Sequence, residues 1–418
     1  MKMWVKVKTV FLIIVEILLL YSPEFKIFPK YTWLLAAVAI LILAMKRTLV
    51  KKYRINSMYT FTIIGFLLLS VLWSLASILI NNTSDFSYIS FLLGTILTVF
   101  RSFILVYLID SVRRETECTT DIYMRTLPIA GTVYVIFTIS FIVFPNFKTI
   151  WLTQVVNSTE RDYFAYQYRY SLNGFAAFAS STISSLLILL CAYLIVKNSK
   201  NNLWKKYFVI YIINIIGGFF YGRVCLFAIA MSIIYILISL FNTIRVLKIL
   251  LTFIVVIGIL VWLVDFLATI NPDFLVWKKW AFAIVDQLFS DNKVVDYSVS
   301  HMFEDMYFMP SIKTILLGDG MYTTTSGGYY MHTDVGFMRA ILFFGIFGCL
   351  INYCMILYTC KKVYRVSKSK TIHQFIWFVF FIFVILEMKG EAYQRILQIT
   401  MPMYYFVCFD NNNRLSES

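Results

Sequence analysis

The chain has 418 residues, of which 60% are hydrophobic and only 14% charged, and its mean hydropathy is +0.78. That composition excludes a soluble globular protein: a membrane-crossing helix takes about 20 apolar residues, and about twelve such helices would absorb most of the apolar content, leaving little for a soluble domain. The net charge of +15 would suit nucleic acid in a soluble chain, but in a membrane protein basic loops are the ordinary orientation signal, and nucleic-acid binding is not needed to account for it.

Taken in chain order, apolar runs predict spans near residues 9–21, 31–45, 58–80, 88–109, 126–145, 174–196, 207–221, 224–241, 249–268, 336–359, 372–388 and 394–409. The first is short, carries Glu16, and follows Lys2, Lys6 and Lys8 like a signal peptide. It has no small-x-small cleavage site before Pro23, so it reads as an uncleaved span. The seventh and eighth runs are separated only by Gly222-Arg223. The expected fold is therefore an all-α integral membrane protein of about twelve transmembrane helices, a single polytopic domain over residues 1–418.

Basic residues alternate between successive loops as orientation by positive charge requires. Lys46, Arg47, Lys51, Lys52 and Arg54 fill one loop, whereas the next, 81–87, has no basic residue. Arg113, Arg114 and Arg125 follow, then Lys197, Lys200, Lys205 and Lys206, then Arg245 and Lys248, and last Lys361, Lys362, Arg365, Lys368 and Lys370. This pattern puts both termini in the cytoplasm.

Two outer segments are longer than a turn. The first, 146–173, carries Arg161, Asp162 and Arg169 among Phe147, Trp151, Tyr163, Phe164, Tyr166 and Tyr168. The second, 271–335, is the longest polar stretch, and loops of that size usually carry function or structure of their own. Within it, 272–289 is amphipathic and predicts a helix lying at the interface, with Trp277 and Trp280 at headgroup level.

Chemistry is sparse. The seven cysteines contain no CxxC pair, and no cluster of His, Cys and carboxylates has metal-ligand spacing. No phosphate loop with a Lys-Ser/Thr ending and no Gly-x-Ser-x-Gly elbow occurs. Three arginines stand out, each at the outer end of an apolar run: Arg169, Arg223 and Arg339. A guanidinium at that depth is costly unless it snorkels or is paired, and its planar fork suits phosphate or pyrophosphate. The bland alternative is interfacial anchoring, or pairing with Asp162, Asp334 or Glu391. Of the histidines, His332 lies two residues from Asp334 and seven from Arg339, where a base could be placed beside an anion site, although a lone loop histidine is more often non-catalytic. The segment Leu317-Gly318-Asp319-Gly320-Met321-Tyr322 is turn-rich, and its plain reading is a tight surface loop.

The long outer loop, the Leu-Gly-Asp-Gly-Met-Tyr segment and the run from Thr333 to Gly348, with the span layout, resemble the Wzy-type polymerases that build bacterial O-antigens and capsules. Tyr221-Gly222-Arg223 is similar to a Ser/Gly-Arg step that this group shares with O-antigen ligases, and Arg169 before Asn173-Gly174 resembles an Arg ahead of an Asn-containing span there. The motifs lie between about residues 160 and 350. The resemblance implies a GT-C-like, metal-independent glycosyltransferase with no cofactor, in the bacterial inner membrane, joining undecaprenyl-pyrophosphate-linked repeat units. Its donor and acceptor are both lipid-linked oligosaccharides, and a chain-length regulator and a flippase are the implied partners. By the same resemblance, Arg169, Arg223 and Arg339 take the pyrophosphate, and His332 or Asp334 is the base. The aromatic residues of 146–173 are candidates for sugar faces.

Two other functions fit the layout. An O-antigen ligase would transfer finished polymer to the lipid A core with similar chemistry. A transporter or lipid-glycan flippase fits the topology alone, but the loop lengths of the two halves are unlike each other.

Overall fold

The computed structural model describes residues 2–28, 57–113, 117–156, 167–241, 244–270, 272–289, 301–324 and 327–416. The expected span at 31–45 lies outside them, as do the basic loop that follows it and Arg161, Asp162, Tyr163, Phe164 and Tyr166.

Helices dominate: α1 (Lys2–Tyr21), α2 (Ser57–Ile80), α3 (Ser87–Val112), α4 (Thr119–Val143) and α5 (Pro145–Gln154) come first. A two-residue hairpin, β1 (Tyr170–Ser171) with β2 (Gly174–Phe175), precedes α6 (Phe178–Lys197), α7 (Leu203–Tyr221), α8 (Cys225–Ser239), α9 (Ile244–Ile270) and α10 (Pro272–Phe289). The short α11 (Ile312–Leu317) leads to α12 (Gly336–Val366), α13 (Lys370–Glu387) and α14 (Tyr393–Ser416). Among the described residues eight helices, α2, α3, α4, α6, α7, α9, α12 and α13, are long and apolar enough to cross a bilayer. This is a multi-pass, all-α membrane protein. The amphipathic segment expected at 272–289 is the helix α10, and the turn at Gly222-Arg223 does separate α7 from α8.

The chain forms two units. The first contains α1, α2, α3, the beginning of α4 and α11 to α14; in it, α12 packs against α2, α11, α13 and α14, and α3 packs against α14. The second contains most of α4, then α5, the hairpin and α6 to α10. Its centre is α6, buried along nearly its whole length against α7 and α8. The face of α6 that begins the helix is built from Ser180, Ser181, Thr182, Ser184 and Ser185, all buried. Small residues let helix backbones approach closely where no water drives the association. By contrast α9 is exposed along most of its apolar length, as a lipid-facing helix must be.

The Leu-Gly-Asp-Gly segment has a structural job. Helix α12 is broken at Phe344 (φ −134°) and Gly345 (φ +70°), which frees the carbonyls of the turn before the break. Inside a membrane each unsatisfied carbonyl costs several kcal/mol, and here Leu342, Phe343 and Phe344 each have a donor. Asp319 N donates to Leu342 O at 2.7 Å, Gly320 N to Phe343 O at 3.0 Å, and Trp73 Nε1 to Phe344 O at 2.7 Å. Ser77 Oγ lies 2.7 Å from Phe343 O and 2.9 Å from Leu317 O, and its one proton is shared between the two carbonyls. The segment plugs the broken helix, so it is more than the surface turn its glycines suggested.

Candidate functional site

In the second unit, Arg169 stands at the start of the hairpin and Arg223 in the turn between α7 and α8. Their guanidinium carbons lie 5.3 and 5.4 Å from the centre of one indole, Trp280 of α10. Arg169 is also 4.9 Å from the Phe175 ring and donates through Nη2 to Ala176 O at 3.2 Å. An aromatic face attracts a cation, so one ring gathers two positive charges from distant parts of the sequence.

Trp280 is held in place by its own helix. Trp277, one turn earlier, is buried beside Phe220 and Phe274, and Phe282 stacks on Phe219 at 5.3 Å. These contacts dock α10 on the end of α7. The hairpin is fixed from the other side. The hydroxyl of Tyr134 on α4 bonds to the Asn173 carboxamide and lies 3.0 Å from Ser180 Oγ, while Ser171 Oγ donates to Tyr134 O at 3.0 Å. Ser171 and Asn173 therefore tie the Arg169 hairpin to α4 and α6, which gives a physical reason for an Asn at that place.

Several described aromatic residues of the first outer segment pack against one another. Trp151 and Phe175 pack on a buried cluster of Phe141, Leu152 and Tyr170, and Trp151 Nε1 donates to Leu172 O at 3.0 Å.

Arg339 belongs to the first unit, one turn into α12. It is buried, with its guanidinium carbon 3.8 Å from the centre of the Tyr322 ring and 4.1 Å from that of Tyr329. Its carboxylate neighbour is Glu391, at 3.8 Å between Nη1 and Oε2, one of the three acids the sequence offered. The Tyr322 hydroxyl donates to Glu391 Oε2. Burial pushes the Glu391 carboxyl above the usual range, and Arg339 with the hydroxyls of Tyr322 and Tyr88 pulls it only part of the way back.

Tyr322 is positioned by Asp85, in the loop between α2 and α3. One Asp85 oxygen accepts from the backbone amides of Tyr322 and Thr323, both at 2.6 Å, and the other caps Ser87 N at 2.9 Å. Burial pushes the Asp85 carboxyl up, but these hydrogen bonds outweigh it and leave it below the ordinary carboxylate value.

The two base candidates are not joined to this pair by any described contact. Asp334 pairs with Lys389 at 3.4 Å, not with Arg339. His332 is exposed, at φ +56°, and its ring makes no hydrogen bond or ion pair among the described residues. Glu391, Tyr322 and Trp280 are the residues that sequence reasoning passed over as site members. A signal was available for Glu391, an acid between two apolar runs, for Trp280 in an amphipathic helix and for Tyr322 at the end of the Leu-Gly-Asp-Gly-Met-Tyr segment; Asp85 gave none. Among the described residues no group of His, Cys, Asp and Glu could hold a metal ion. No family model matches the chain, and no curated protein or solved structure is significantly similar to it.

Proposed function

We propose that the protein is an oligosaccharide repeat-unit polymerase of the bacterial inner membrane. In this reading it has about twelve spans in a GT-C-like arrangement, with both termini in the cytoplasm. The observation that carries it is the convergence of Arg169 and Arg223 on Trp280. Two guanidiniums over an indole at the end of apolar helices make a cationic, amphipathic site, matched to a pyrophosphate on a lipid chain.

The reaction is the one that the resemblance to Wzy-type polymerases implies. A hydroxyl of the acceptor repeat unit attacks the anomeric carbon of the growing glycan, forming the new glycosidic bond. The bond from that carbon to the pyrophosphate oxygen breaks, and undecaprenyl pyrophosphate leaves with the electron pair. Arg169 and Arg223 take up the charge developing on the leaving group, and Arg339 is assigned separately to a lipid-linked pyrophosphate. His332 or Asp334 accepts the hydroxyl proton.

The test is deletion of the gene in its host, followed by sizing of surface and lipid-linked glycans. Surface glycan reduced to single repeats, restored by wild type and not by Arg223→Ala, is the expected result. Full-length polymer retained on the lipid would indicate a ligase. Repeats trapped on the cytoplasmic side, or no change in glycan, would overturn the polymerase reading in favour of a transporter.

A further inference from the structure

The ion pair between Arg339 and Glu391 is not closed. Nη1 and Oε2 stand 3.8 Å apart, beyond hydrogen-bonding distance, although only 10% and 8% of the two side chains are exposed. Arg339 Nε and Glu391 Oε1 are both buried without a hydrogen-bond partner among the described residues. A buried donor or acceptor left unmade costs about 1–3 kcal/mol, more when charged, so two of them facing one pair call for a further group. Two tyrosine rings cover the guanidinium, and a ligand must meet its N–H edge. That edge offers the paired donors that a phosphate oxyanion takes up.

The obstacle is Glu391 itself. An anion beside a buried carboxylate meets like-charge repulsion with little solvent to screen it. A neutral carboxyl removes the repulsion and offers an O–H donor instead. We propose that Arg339 and Glu391 form a binding site for a phosphate-class oxyanion, in which Glu391 takes up one solvent proton as the anion enters and so releases Arg339 to it. The proposal rests on the assignment of Arg339 to pyrophosphate above and adds the proton to it.

The groups that face Glu391 are Arg339, Cys349 and Tyr353 of α12, Tyr322 of the plug segment, Tyr88 of α3, Glu387 at the end of α13 and Tyr393 at the start of α14. Glu387 is the other carboxyl among them, and its Oε1 is occupied by the amides of Ala392 and Tyr393, each at 2.9 Å. Glu391 has no such backbone anchor on Oε1, and it is the carboxyl that stands beside Arg339.

The experiment uses the full chain in nanodiscs of zwitterionic lipid. Binding of inorganic pyrophosphate and of farnesyl pyrophosphate is measured between about pH 5.5 and 8.5, in two buffers of different ionisation enthalpy. Affinity is expected to fall with rising pH by up to ~10-fold per unit while Glu391 titrates, and the buffer comparison to report uptake of up to one proton. Glu391→Gln should bind more tightly at neutral pH and keep only the ligand's own pH dependence. Tyr322→Phe, a milder change, removes a donor that favours the carboxylate and should extend tight binding to higher pH. Binding of both probes marks a site for the oxyanion itself, and binding of the farnesyl ester alone marks one for its lipid-linked form. A wild-type pH profile in Glu391→Gln overturns the proton step while leaving the anion assignment. Wild-type affinity in Arg339→Ala, or no binding of either probe at any pH, overturns the site, and glycan sizing then decides the polymerase reading by itself.

Discussion

The carbonyl of Phe343 occupies the space where a side chain on Gly318 would begin. Gly318 is at φ +75° and Gly345, in the break of α12, at φ +70°, where the Leu316 carbonyl fills the corresponding space. The plug and the break thus interlock backbone to backbone, and neither glycine has an alternative.

Gly318→Ala and Gly345→Ala should each destabilise the protein by at least about 1–3 kcal/mol, because a strained φ is added to a backbone collision. Gly258 has open space around it and no positive φ, so Gly258→Ala should be neutral or slightly stabilising in its helix. Thermal unfolding of the purified variants in detergent checks the contrast. Equal melting temperatures for all three would contradict the interlock.

Arg169, Arg223 and Trp280 should behave as one unit. Trp280→Ala removes the ring shared by both guanidiniums, each contact being worth about 0.5–2 kcal/mol. Glycan length should shorten in Trp280→Ala and in Arg223→Ala alike, and the double variant should be no worse than the stronger single one. Additive losses would show that the ring and the arginine act separately.

Asp85 should matter to stability in a pH-dependent way. Its carboxyl is held below the ordinary value, so the stability it contributes is present above about pH 4, the unfolded value, and is lost as pH falls through the lower folded one. Asp85→Ala leaves the Tyr322 and Thr323 amides without their acceptor and should cost on the order of 1–3 kcal/mol at neutral pH. The gap between variant and wild type, followed by melting temperature, should close in acid. A constant gap down to about pH 3 would remove the carboxylate from the argument.

Asp410 of α14 caps the start of α4, accepting from Thr119 N and Thr120 N, both at 2.8 Å, and from Thr119 Oγ1 at 2.9 Å. A carboxylate at a helix N-terminus also meets the positive end of the helix dipole. Asp410→Ala should cost about 1–2 kcal/mol, and Asp410→Asn less, since one acceptor oxygen survives. Hydrogen exchange at the first turn of α4 should rise in both, more in the alanine variant. Unchanged exchange would mean the cap is dispensable.

Composition and apolar run length by themselves determined that the protein is helical and crosses a membrane, because a bilayer leaves no other solution for long uncharged segments. They also placed α10 and the turn at Arg223, where periodicity changes or a Gly-Arg step interrupts the run. Run length could not show that α12 is one helix broken at Gly345, because the amides that satisfy its freed carbonyls come from Asp319 and Gly320, outside the helix. Nor could it separate the three arginines, which look alike in sequence. Only tertiary structure put Arg169 and Arg223 on one indole and gave Arg339 a buried carboxyl of its own. The period of a sequence reports which face is apolar, whereas charge pairing depends on which side chains from distant segments arrive at the same place.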